Sequence, residues 1–73
     1  MSDFKKLSER LTAFAGTMSP YIVKKAFTDM AINGENIPPT MKLRVVDTIL
    51  ERIVFDRQLH YELRLELLQT LEC

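Results

Sequence analysis

The sequence predicts an all-α fold, a small bundle of three to four short helices that pairs with a second copy of itself. Three observations lead there. Apolar residues recur at intervals of three and four along most of the chain, prolines fall between those periodic stretches, and the final stretch carries more leucine than a one-sided helix needs.

In the first stretch Phe4, Leu7, Leu11, Phe14, Ala15 and Met18 share one stripe of a helix, with Gly16 inside it. Ser19-Pro20 then restarts the chain. Ser is a favoured N-cap, and Pro suits the first helical position, where its missing N–H is no loss. Helix 2 follows with Ile22, Val23, Ala26, Phe27, Met30 and Ala31 on its buried face, and Asn33-Gly34 supplies the left-handed residue expected to close it. Pro38 and Pro39 make residues 35–39 a connector, because each removes a donor and biases the residue before it to extended geometry. Thr40 is the expected N-cap of helix 3, whose Leu43, Val45, Val46, Ile49, Leu50, Ile53 and Val54 cover roughly 180° of the surface.

The stretch from Leu59 to Leu71 fits two periods. Leu59, Tyr61, Leu63, Leu65 and Leu67 alternate as a strand would, while Leu59, Leu63, Leu67 and Leu71 repeat as a helix would. Leu, Glu, Arg and Gln are good helix formers and no other strand is predicted to pair with it, so a helix is expected. Two starts are open to it: Asp56 caps it after a short break, or it runs on from helix 3.

Length gives this leucine its meaning. A chain of 73 residues is a single domain, and one of that size buries only about 60% of the surface its unfolded form exposes. Small domains usually add disulfides, a metal or a partner subunit. One cysteine, Cys73, forms no internal disulfide, and one histidine, His60, does not complete a four-ligand zinc site, so association is left. A homodimer through helices 3 and 4 is expected, with Leu50, Ile53, Val54, Leu59, Tyr61, Leu63, Leu67 and Leu68 at the dimer or partner interface. The alternative is that the extra leucines thicken a monomeric core.

Ten basic and ten acidic residues balance, which supplies no overall field toward nucleic acid or anionic membrane. The halves lean opposite ways: five basic against three acidic residues precede Gly34, and five against seven follow it. No long apolar run follows the N-terminal charges, so a cytoplasmic location is expected. Lys5, Lys6, Arg10, Lys24 and Lys25 are the candidate nucleic-acid contacts, with a solvated face as the more ordinary reading. A helix-turn-helix is disfavoured by the long connector and by the wide apolar arc of helix 3.

Catalysis finds little footing. His60 lies in a setting similar to the histidine box of sensor kinases, but the spacing is off by one and only 13 residues follow it. An ordinary partly buried or interface histidine is the simpler reading. No second histidine offers a base, and glycine is too scarce for a phosphate-cradling loop. No enzyme activity, cofactor or metal is expected.

The segment Ala26-Phe27-Thr28-Asp29-Met30-Ala31-Ile32-Asn33-Gly34-Glu35-Asn36-Ile37, followed by Leu50-Glu51, His60-Tyr61 and a leucine-rich end, resembles a known family. It is similar to the enterobacterial biofilm-development and acid-resistance regulators, the two-component connector proteins of the YmgB/AriR and YcgZ type. The likeness runs from Val23 to Glu72. It implies a small helical homodimer that regulates biofilm formation and acid resistance through the Rcs phosphorelay or through DNA, without a cofactor. Pro38-Pro39 and the short N-terminus depart from the family pattern, which puts any function of a longer N-terminal tail in doubt. Within the motif, Gly34 is expected to stop helix 2, Asn36 to cap or bridge the turn, and Ile37 to pin the connector to the core. The partners so expected are a second copy and a signalling or transcription-regulatory protein, with DNA as the weaker alternative and no membrane.

Overall fold

A computed structural model describes residues 1–72 as four α-helices: α1 (Asp3–Ala15), α2 (Ser19–Asp29), α3 (Lys42–Ile53) and α4 (Arg57–Glu72). Short 3-10 turns at Gly16–Met18 and Pro39–Met41 lead into α2 and α3. No strand occurs among the described residues, and no helix there is long and apolar enough to cross a membrane. Cys73, the lone thiol of the sequence, lies outside the described residues.

α1 starts at Ser2, whose hydroxyl accepts from the Lys5 N–H at 3.1 Å. It stops three residues before the end of its predicted stripe. Gly16 adopts φ +60° and ψ −137°, a backbone state that L side chains rarely take, so this glycine ends the helix and does not sit inside it. The break explains why Leu7 and Leu11 are buried while Phe14 and Met18, expected on the same stripe, stay exposed.

Ser19 does not cap α2. It is already helical, and its fully buried hydroxyl donates back to the Gly16 carbonyl at 2.8 Å, tying the 3-10 turn to the new helix. Val23, Ala26 and Phe27 carry the buried face. α2 closes at Ala31, with φ +56°, and not at Gly34. The Ala31 N–H donates to Thr28 O at 3.1 Å and the Ile32 N–H to Phe27 O at 2.9 Å, which together form a Schellman closure. Ile32 and Phe27, the pair whose apolar contact commonly accompanies that motif, line one groove.

The connector is held on the first turn of α1. The Phe4 N–H donates to Glu35 O at 2.8 Å, the Asp3 N–H to Asn36 Oδ1 at 3.1 Å, and the Ile37 N–H to Asp3 Oδ2 at 2.8 Å. The Asp3 N–H, an orphan donor of α1, is thus capped from 33 residues away along the chain. Ile37 is buried in the core as expected.

Thr40 does not cap α3 either, because it lies inside the 3-10 turn, whose Met41 N–H donates to Pro38 O at 2.8 Å. Val45, Val46, Ile49 and Leu50 are wholly enclosed, and Leu43 stands outside the rim of the arc. Between α3 and α4 the chain breaks. Val54 is extended, and the Asp56 carboxylate accepts from Gln58 N at 2.8 Å and Leu59 N at 3.2 Å, the N-cap geometry of a new helix. Of the two readings for α4, the short break holds.

The radius of gyration is 11.0 Å, matching the about 11 Å that a folded chain of this length needs on its own. The core joins all four helices through Leu7, Val23, Ile49, Leu50, Leu67 and their neighbours.

Candidate interaction surface

The leucine surplus of α4 divides between inside and outside. Leu67 and Leu71 are buried, and Leu59, Leu63 and Leu68 pack half-buried against the core. Tyr61 (56% exposed) and Leu65 (46% exposed) lie one turn apart on the outer face. Gln58, Glu62, Gln69 and Glu72 are exposed on the same side.

Three of the expected interface residues are therefore corrected. Leu50 and Leu67 have essentially no accessible surface, and Val54 is 6% exposed, so all three belong to the protomer's own core and have little to offer a partner. Ile53, Leu59, Leu63 and Leu68 present only their edges, and Tyr61 alone of the expected set is fully outward.

The most exposed large apolar side chain after the break is Phe55, at 93%. It follows the last residue of α3's cap and precedes the Asp56 cap of α4, so neither helix gives it a buried face. Phe55 and Tyr61 line one shallow cradle of about 260 Å³ together with Arg57, His60 and Arg64. Below it, Arg64 Nε donates to Asp47 Oδ1 at 2.8 Å, and His60 Nε2 lies 3.2 Å from the same oxygen. This bridge locks α4 to α3 and fixes the angle at which Tyr61 is presented. Tyr61 carries the only hydroxyl among the cradle's lining residues. Among the described residues no group of three or more His, Cys, Asp or Glu side chains gathers where a metal ion would need them.

The five candidate nucleic-acid contacts border three different depressions. Lys5 and Lys24 flank a groove of about 430 Å³ whose apolar lining is Phe4, Phe27 and Ile32, with the Phe4 and Phe27 rings edge to face at 5.7 Å. Lys6 and Arg10 border a different depression beside Glu9 and Thr70, and Arg10 pairs with Glu66. Lys25 turns to Asp29 at 3.2 Å, which also receives Arg52 at 2.5 Å. The hydrogen bond from Arg52, then that from Lys25, holds the Asp29 carboxyl below the usual carboxylate range. Arg10 and Lys25 are thus occupied by carboxylates of the same chain.

Sequence reasoning missed Phe55 and Leu65. Phe55 falls in a break that no periodicity reports, and Leu65 was visible only as part of a leucine run too dense to divide. No known protein family, curated protein or solved structure matches this chain.

Proposed function

We propose that this chain is a small non-enzymatic connector of the cytoplasm, which pairs with a second copy and docks on a signalling or transcription-regulatory protein. The observation that carries the reading is a set of exposed apolar side chains, Phe55 in the break beside Tyr61 in one cradle and Leu65 a turn further along α4, a helix whose orientation is fixed by the Asp47–Arg64–His60 bridge. Single exposed apolar residues are ordinary, whereas neighbouring ones on a rigid element mark a contact surface. Aromatic side chains supply most of the anchoring energy at such surfaces.

The test is sedimentation equilibrium of the wild type against the triple variant Phe55→Ser/Tyr61→Ser/Leu65→Ser. The variant keeps its helical spectrum, since none of the three is a core residue, and loses self-association. A triple variant that associates as the wild type does overturns the proposal.

The regulatory part of the reading, in biofilm formation and acid resistance, is supported by the resemblance between Ala26 and Ile37. It is checked in the native host by measuring biofilm mass and acid survival with the chain deleted and restored. The rival, a nucleoid-type DNA-binding regulator, needs Lys5, Lys6, Arg10, Lys24 and Lys25 to act as one surface, and their separation weighs against it. Retention of random duplex DNA that falls steeply with salt would reinstate the rival.

A further inference from the structure

We propose that the outer stripe of α4 from one copy seats in the groove between α1, α2 and the connector of a second copy. Tyr61 and Leu65 meet the Phe4, Phe27 and Ile32 lining, and Glu62 and Glu72 face Lys5 and Lys24. The proposal rests on the self-association reading above and names the seat that reading leaves open.

Each half of the contact is incomplete alone. The groove has an apolar interior, and its lining brings two ammonium groups against the single carboxylate of Glu35. Neither ammonium group meets a carboxylate within 4.0 Å among the described residues, and the carboxylates of Glu62 and Glu72 meet no cation there within the same distance. The stripe is its converse: two apolar side chains one turn apart, flanked by carboxylates, on a helix held rigid by its neighbours. Lys5 and Lys24 belong to the more basic half of the sequence and Glu62 and Glu72 to the more acidic half.

The pairing has no solution within one chain. α4 turns its other side to α1, where Glu66 meets Arg10 and Thr70 borders the depression that holds Lys6. Its outer stripe therefore faces away from the α1–α2 groove of the same copy. Two such seats, one in each direction, close a two-fold pair.

The test is charge reversal read by sedimentation equilibrium on the full chain, with circular dichroism confirming that each variant is folded. Lys5→Glu/Lys24→Glu weakens self-association by about tenfold or more, as does Glu62→Lys/Glu72→Lys, because each juxtaposes like charges. Combining all four substitutions restores affinity to within about threefold of wild type, the signature of coupled sites. Lys42→Glu/Arg44→Glu, with the same change in net charge on α3, leaves association in place. A fourfold variant no better than either pair overturns the seat, and so does a control as damaging as Lys5→Glu/Lys24→Glu. A wild type that self-associates yet ignores every reversal sinks this seat alone, whereas a wild type that stays monomeric sinks the self-association reading with it.

Discussion

Replacing Asp3 by Ala tests whether the connector is held by one carboxylate. Asp3 Oδ2 is the acceptor of the Ile37 N–H in a buried bond of 2.8 Å, and Ile37 itself is 4% exposed. A hydrogen bond to a charged group contributes roughly 1.5 to 3 kcal/mol, and its loss leaves a buried N–H without an acceptor. The same carboxylate lies in the first turn of α1, where a negative charge adds about 0.3 to 1 kcal/mol against the helix dipole. A combined loss of about 2 to 4 kcal/mol follows. With an unfolding entropy near 2.1 cal/mol/K per residue over 73 residues, the midpoint falls by roughly 13 to 26 °C. Thermal and urea unfolding at one fixed protomer concentration reads this directly. Hydrogen exchange adds a local signature: the Ile37 amide is protected in the wild type and exchanges early in the variant, ahead of the core amides of Val45 and Ile49. Asp3→Asn keeps an oxygen acceptor without the charge and falls between the two. A midpoint within about 2 °C of wild type, or an Ile37 amide as protected as before, refutes the reasoning.

Three further outcomes are expected. Ala31→Gly stabilises the chain by about 1 kcal/mol, because Ala31 holds φ +56° at the Schellman position where glycine carries no Cβ penalty; a lower urea midpoint would count against the closure described. Ser8→Ala also stabilises, by about 1 kcal/mol, since the buried Ser8 hydroxyl has no partner among the described residues and alanine is the better helix former; chemical denaturation checks the sign. For Asp29, whose carboxyl is held low by Arg52 and Lys25, the folded state binds its proton less readily than the unfolded one. Its contribution is therefore fully present above the ordinary aspartate value of about 3.9 and fades as pH falls through the lower folded value, so the stability gap between wild type and Asp29→Asn narrows below about pH 4. A gap that widens on acidification, followed by urea midpoints from pH 7 to 3, would contradict the sign.

The helices were legible because burial imposes a period, and Leu7, Leu11, Val23, Val45, Ile49 and Leu67 all obey it. Their ends were less so. Gly16, expected inside α1, terminates it, and Gly34, expected to terminate α2, is preceded by a closure at Ala31. The hydrogen-bonded closure at Ala31 comes first, and Phe27 and Ile32, which line one groove, are the pair whose contact commonly accompanies that motif. Ser19 and Thr40 have the composition of caps, yet each follows or joins a 3-10 turn that has already started the helix. On the surface, apolar density on α4 was readable while its division was not: with leucines all round, only the docking of α1 and α3 decides that Leu67 goes in and Leu65 stays out.

The placement of Asn36 bears on how much the resemblance can carry. Asn36 accepts from the Asp3 N–H, Ile37 fills the core, and Glu35 accepts from Phe4, so the Gly-x-Asn-aliphatic run straps a connector to the first helix. Any small helical fold that closes its second helix and returns over the N-terminus of its first needs an amide acceptor and an apolar anchor at about this spacing. The part of the likeness that lies in that run reports a way of closing the fold, and the proposed docking strip, Phe55, Tyr61 and Leu65, lies in another part of the chain. The two roles separate experimentally. Asn36→Ala lowers stability and association together, in proportion to the fraction unfolded, whereas Tyr61→Ser lowers association at unchanged stability. Were Asn36→Ala to abolish partner binding in a chain as stable as the wild type, the motif itself would be the recognition element and the strip on α4 would be incidental.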